Sequence, residues 1–160
     1  MGIQQLVPNE DIADQATTHL YQRKIGSILY PGIISRPDIA FTAARLSNFL
    51  TNPSPDHIAA ANRCIQYLYS SRYLAIMFDG LNNTKDKAFK AYTDSSFADD
   101  QQDRKSTQGY LFTLFGGPII WKSGKQIMVI TSSTEAELLA LSTAGKEAIA
   151  AIRLFWDICL

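Results

Sequence analysis

The apolar residues of this chain change their period once, and that change limits the fold more than any other feature. Before the polar stretch LNNTKDK (residues 81–87) they recur at helical spacing. After it they alternate as strand residues do, until a final run returns to helical spacing. The reading is therefore a helical part, then a small sheet, then a helix to cover the sheet. Residues 1–17 read as a tail or linker, 18–80 as the helical segment, and 81–160 as the sheet-and-helix domain.

Within the helical part, Thr18 to Tyr30 reads as a helix with apolar Leu20, Ile25, Ile28 and Leu29, broken by Pro31-Gly32. SRPDIAFTAARLSNFL reads as a second. Pro37 suits its first turn and Asp38 its positive end, and Ile39, Ala43, Leu46 and Phe49/Leu50 form its stripe. A third runs from Pro55 to Tyr69 on Ile58, Ala61, Ile65 and Leu68. Leu74 to Phe78 has the look of a short strand. Beyond the polar hinge, AFKAYTDSSFA and GYLFTLF read as strands. The turn Gly116-Gly117-Pro118 follows, then a short piece IIWK, a turn at SGK and a further strand, QIMVITS. The long helix SSTEAELLALSTAGKEAIAAIRLFWDICL opens with a capping box, Ser132 to Glu135.

The totals narrow the class. Fifteen basic and fifteen acidic residues give a formal net charge of zero over 160 residues, unlike the basic excess of a chain that binds nucleic acid unaided. Cys64 and Cys159 are far apart and have no metal-ligand spacing, so they read as reduced thiols of an intracellular protein. No run approaches the roughly 20 apolar residues that span a bilayer, and the polar N-terminus lacks a signal-peptide core.

Two carboxylates stand out. Asp94 ends a strand in AYTDSSFADD, where an Asx-turn role competes with a role as a ligand. On the long helix, Leu141, Ala144, Ala148, Ile152 and Phe155 form a stripe that leads back to Glu137, on the side expected to meet the sheet. A carboxylate there costs free energy unless it is paired or bound to metal; the competing reading, since Glu137 is in the first turn, is a carboxylate at the rim of the core bonded to nearby backbone groups. Two Mg²⁺ ions held by carboxylates can activate water and stabilise a leaving oxygen. Arg104, Lys105, Ser106 and Thr107 before the second strand, and Lys122 and Lys125 with Ser123, could touch phosphate oxygens. They equally suit solvated loops, with Arg104 paired to Asp99, Asp100 or Asp103. Trp121 reads as core, and His57 as packing at a helix start.

YTDSSFADD, DRKSTQGYLF, IIWKSGKQ and SSTEAELLALS stand in this order at short spacings. Together they closely resemble the ribonuclease H region of Ty1/copia-type retrotransposon Pol polyproteins. YQRKIGSILY, SRPDIAFTAARLSNFL and PSPDHIAAANRCIQYLY resemble the segment that joins reverse transcriptase to it. The resemblance covers residues 20–156. It implies an α/β, truncated ribonuclease H-like fold: three antiparallel strands and a long helix after a helical connection. It implies hydrolysis of the RNA strand of RNA–DNA hybrids by metal-assisted catalysis, with Mg²⁺ or Mn²⁺ and a reverse transcriptase partner. The setting it implies is a cytoplasmic virus-like particle or the nucleus, with no membrane. Asp94 and Glu137 stand at two catalytic, metal-binding positions of the family. The family's next carboxylates follow this helix. The sequence stops at Leu160, and Asp157 lies roughly 30 Å along the helix from Glu137, so the expectation is an incomplete site and little activity alone. No YxDD-type polymerase pair is present. A non-catalytic remnant, or an interaction module, is the alternative.

Overall fold

The computed structural model describes residues 6–78, 88–99 and 103–158. The hinge LNNTKDK, Asp100 and Cys159 lie outside them. The chain divides into two compact units, residues 1–75 and 76–160.

The first unit is helical. α1 spans Gln15–Ile34, a 3₁₀ turn Pro37–Ile39 leads into α2 at Ala40–Ser47, and α3 spans Pro55–Ser70. α1 starts three residues before the expected Thr18. Asp14 caps it by accepting the Thr17 N–H at 2.7 Å. It also runs through Pro31-Gly32, contrary to the expected break. Pro31 still offers its own carbonyl to the Ser35 and Arg36 N–H groups. Gly32 sits against Ala43 and Ile39, where an added Cβ would find atoms at 3.4–3.7 Å. Packing against α2 thus holds the helix past a residue that propensity would end it on. The buried residues Tyr21, Ile25, Ile28, Ile39, Ala43, Leu46, Phe49, Ala61 and Cys64 make one core. The expected stripes of α2 and α3 belong to it or pack on it, whereas Leu20 of α1 is 47% exposed and Tyr21 takes the inward place.

His57 closes the start of α3. Ser54 accepts the His57 N–H, and the ring Nδ1 accepts the Ser54 N–H at 2.8 Å, a reciprocal capping box. The ring stacks on Phe49 with centroids 3.8 Å apart and is fully buried. Burial pushes its pKa below the ordinary 6.5. The neutral ring is thus favoured in the folded state, and below pH 6.5 the unfolded chain binds the extra proton more readily. Stability contributed by His57 is present above that pH and is lost as the pH falls through the folded-state value. Urea unfolding of the helical unit should therefore shift to lower midpoints as the pH drops below 6.5. His57→Phe should remove that slope while keeping the stack.

The second unit holds β1 (Phe89–Ser96), β2 (Thr107–Leu114), β3 (Gly117–Lys125) and α4 (Ser133–Asp157). The sheet is antiparallel in the order β1-β2-β3. Leu74 to Phe78 is not a strand, and QIMVITS is irregular chain rather than a fourth strand. The expected turn at SGK is absent too: IIWKSGK continues as one strand, paired with β2 out to Lys125 opposite Thr107. The hairpin turn is Phe115-Gly116, both with positive φ, the backbone twist that two-residue hairpins favour. Gly117 opens β3 where a Cβ would fall 2.5 Å from the Phe78 ring, so only glycine fits. Pro118 and Ile119 fall at a register shift opposite Phe112 and Thr113. β3 is an outer strand among the described residues, and such a strand tolerates the missing proline N–H there.

Candidate functional site

The first question is how the sheet and α4 meet. Phe89, at the start of β1, contacts both Phe112 and Phe155 with ring centroids 5.6 Å apart. Phe155 is near the end of α4, so the start of β1 lies under the end of the helix. The far end is tied by Gln126, a residue only 3% exposed. Its backbone N–H reaches the Ser106 carbonyl at 2.8 Å and its Nε2 reaches the Ala136 carbonyl at 2.9 Å. The Ser106 hydroxyl accepts the Ala98 N–H at 3.0 Å. The end of β1, the start of β2 and the first turns of α4 thus share one end of the unit. Asp94 and Glu137 are both on the elements gathered there. The signal for Gln126, an amide beside the apolar run IMVI, was in the sequence and was missed.

Strand alternation assigns the faces. Phe89, Ala91, Thr93 and Ser95 of β1 share the face of Phe112, which meets α4. Asp94 therefore lies on the other face, with Lys90, Tyr92 and Ser96. It is exposed, and its Oδ1 accepts the Ser95 N–H at 2.8 Å. Its register partner is Gly109, which faces Ser123 in turn, so nothing larger than a serine flanks it in that row.

α4 is turned from its expected orientation. The stripe that packs on the sheet is Ala136, Ala140, Ala144 and Ala151, each at most 4% exposed. Leu141 is 58% and Ile152 42% exposed, so the leucine-isoleucine stripe does not form the contact. Small side chains let the helix lie close on the strands, and this contact outweighs the bulkier residues. Glu137, Leu141 and Ile152 each follow a buried alanine, about 100° around the helix. Phe155 borders the same flank and meets β1. Burial, with the negative charge of Glu147 beside it, pushes the Tyr110 phenol of β2 above its ordinary value. Glu137 is consequently an exposed residue on the β1 flank, not a carboxylate facing the sheet. Ser132 caps α4 by accepting the Glu135 N–H at 3.1 Å, while the Glu135 carboxylate accepts from Thr131 rather than closing the box on Ser132.

The basic residues do not form one patch. Lys122 pairs with Tyr110 and so shares the α4 side of the sheet, whereas Lys125 pairs with Thr107 on the Asp94 side. Lys125 and Lys105 lie 3.5 and 3.8 Å from the Asp103 carboxylate. Thr107 donates to Asp99 at 2.8 Å, and Ser106 is fully buried. Arg104 is exposed with φ 55°. Trp121, expected in the core, is half-buried on the face away from α4. Among the described residues no three His, Cys, Asp or Glu side chains are placed to hold a metal ion. Nor is any helix among them long and apolar enough to cross a membrane.

Three antiparallel strands crossed by one long helix, preceded in the sequence by a helical unit, define a mixed α/β protein that follows the opening of the ribonuclease H-like fold. The chain is 40% identical over 129 residues to the Retrovirus-related Pol polyprotein from transposon TNT 1-94 of Nicotiana tabacum, covering 81% of this chain and 9% of that protein. It is 35% identical over 127 residues to the Pol polyprotein from transposon RE1 of Arabidopsis thaliana, covering 79% of this chain and 8% of that one. It is also 40% identical over 129 residues to the Secreted RxLR effector protein 161 of Plasmopara viticola, covering 81% of this chain and 89% of that protein. The chain belongs to the Ty1/copia-type retrotransposon Pol family. It spans less than a tenth of the two Pol polyproteins. No family model matches the chain, and no solved structure matches it.

Proposed function

We propose that residues 81–160 are the ribonuclease H-like region of a copia-type Pol polyprotein. In that polyprotein the region would hydrolyse the RNA strand of RNA–DNA hybrids, and the preceding helices would join it to reverse transcriptase. The observation that carries this reading is the 40% identity to a Pol polyprotein over 129 residues, 81% of this chain. In this reading Asp94 and Glu137 are ligands for Mg²⁺ or Mn²⁺, hard ions that prefer carboxylate oxygens. Arg104, Lys105, Thr107, Lys122 and Lys125 are the candidates for phosphate contact. Their split across two faces fits a hybrid held by a few separate contacts better than by one basic surface. The setting would be a virus-like particle in the cytoplasm, or the nucleus.

Two exposed carboxylates, with no third ligand grouped beside them among the described residues, do not make a two-ion site. The hydrolysis is accordingly assigned to the polyprotein, and these 160 residues alone should cleave little or no hybrid. A labelled RNA–DNA hybrid with Mg²⁺ or Mn²⁺ tests this. The isolated chain should be inactive. A longer chain, continued with the segment that follows this region in a Pol relative, should cleave, and Asp94→Asn or Glu137→Gln should lower the rate there by at least about a hundredfold. Full activity of Asp94→Asn in that longer chain would refute the site.

A second reading, an interaction role without catalysis, is favoured by one observation. The relative named as a secreted effector matches this chain over 89% of its own length, so a chain of nearly this span stands under a name that is not a polymerase's. Binding of the hybrid without cleavage by the longer chain would support it.

A further inference from the structure

Asp103 stands between two of the lysines assigned above to phosphate contact. Its carboxylate lies 3.8 Å from the Lys105 ammonium and 3.5 Å from that of Lys125. The fold builds this grouping. Lys125 ends β3 opposite Thr107, and the Gln126 N–H that follows it is bonded to the Ser106 carbonyl, so the end of β3 is fixed to the loop that enters β2. Within that loop the Lys105 N–H donates to the Asp103 carboxylate at 3.2 Å, a turn that holds the acid in place. Asp99, the other acid of the β1–β2 loop among the described residues, is taken up by the Thr107 hydroxyl at 2.8 Å. Neither ammonium comes within the roughly 2.7–2.9 Å of a close charge-assisted bond to Asp103, and the three side chains are 25–38% exposed.

We propose that Asp103 is an internal counter-ion, which keeps Lys105 and Lys125 paired until a nucleic-acid phosphate displaces it and so sets how tightly the sheet unit holds its hybrid. This rests on the reading above, in which these lysines touch the hybrid backbone. Long, partly solvated ion pairs are weak and screened by salt, whereas a phosphate oxygen offers a lysine a full charge at hydrogen-bond distance. Lys125 also lies on the sheet face that carries Asp94. The row Ser96–Thr107–Lys125 adjoins the row Asp94–Gly109–Ser123. Lys125 is two strands and two residues from Asp94, about 12 Å between Cα atoms. That is roughly three to four nucleotides along one strand, so a strand passing Asp94 spans the distance to Lys125. Each lysine that takes a phosphate releases about one condensed cation from the nucleic acid. The Asp103 carboxylate, left without its partners, takes a cation up, and the net release falls by about one. Asp103 therefore weakens binding and flattens its salt dependence, and a neutral residue there does the reverse.

The test is fluorescence anisotropy of a labelled RNA–DNA hybrid with the full 160-residue chain, in EDTA to prevent cleavage, across a series of KCl concentrations. Asp103→Asn keeps an oxygen to accept the Lys105 N–H, so the turn survives the change. This variant should bind about three- to tenfold more tightly at low salt, and log affinity should fall with log salt more steeply, by about one in slope. Asp157→Asn makes the same change of net charge at the other end of the unit, on an exposed residue at the end of α4, and should bind nearly as the parent does. Replacing Lys105 and Lys125 together by Gln should abolish the gain, so that Asp103→Asn has no effect in that background. The proposal is overturned if Asp103→Asn binds no more tightly than the parent, if its gain survives without the two lysines, or if Asp157→Asn gains as much. The arms also separate this proposal from the reading beneath it. Lysines that matter for binding, beside an Asp103→Asn without effect, sink the counter-ion and leave the phosphate contacts standing. Lysines without effect in any background overturn both. Cleavage by the longer chain is measured separately, with metal.

Discussion

Tyr21→Ala should cost the helical unit about 4 kcal/mol. Tyr21 is fully buried among Ile25, Leu46 and the face of α3. Its ring lies 6.4 Å from His57, and its hydroxyl donates to the Leu46 carbonyl at 2.8 Å. Burial pushes the phenol well above its ordinary range, so it stays a neutral donor. Truncation removes the ring, leaves a cavity that the three helices cannot fill, and strips the Leu46 carbonyl of its partner. A unit of this size is stable by roughly 4–11 kcal/mol, so most or all of its margin would go. Hydrogen exchange of the α1 and α3 amides would show it as loss of protection. Tyr21→Phe keeps the ring and should cost only about 1–2 kcal/mol. Protection unchanged in Tyr21→Ala would mean that the ring does not anchor this core.

Phe112→Ala should have a comparable effect on the sheet unit, about 4 kcal/mol. Phe112 is fully buried on the α4 face of the central strand, stacked on Tyr110 at 5.2 Å and edge-on to Phe89 at 5.6 Å. Phe89 in turn meets Phe155, so the ring supports the contact that sets α4 along β1. Its loss would loosen the sheet and the helix that carries Glu137 together. Leu141→Ala should change stability by no more than about 0.5 kcal/mol, because that side chain is largely exposed. Urea unfolding of the two variants decides between the alanine stripe and the leucine-isoleucine stripe as the real contact. If Leu141→Ala proved the costlier, α4 would have to sit as its apolar pattern alone suggested.

Much of the fold was legible because local signals and burial agreed. Ile39, Ala43 and Leu46 fall at helical spacing and are buried. His57 was read as helix-start packing and closes a capping box. AFKAYTDSSFA was read as a strand, and residues 89–96 within it form β1. The misreadings occur where a contact distant in sequence overrode a local signal. Pro31-Gly32 carries a break signal, yet Gly32 is held against Ala43 and Ile39. SGK looks like a turn, yet β2 offers it a continuous ladder. QIMVITS looks like a strand, yet Gln126 is drawn to Ser106 and Ala136 instead.

The candidate site divides in the same way. The order of motifs by itself determined the family and singled out Asp94 and Glu137, because it records residue types and their spacing along the chain. It could not determine which flank of α4 meets the sheet. Apolar pattern weighs side chains by hydrophobicity, and Leu141 and Ile152 outweigh alanine on that scale. The tertiary structure decided for the alanines, because a helix packs on a twisted sheet by how closely the backbones approach. That choice set Glu137 at the β1 flank, while strand alternation set Asp94 on the sheet face away from α4, both in reach of solvent.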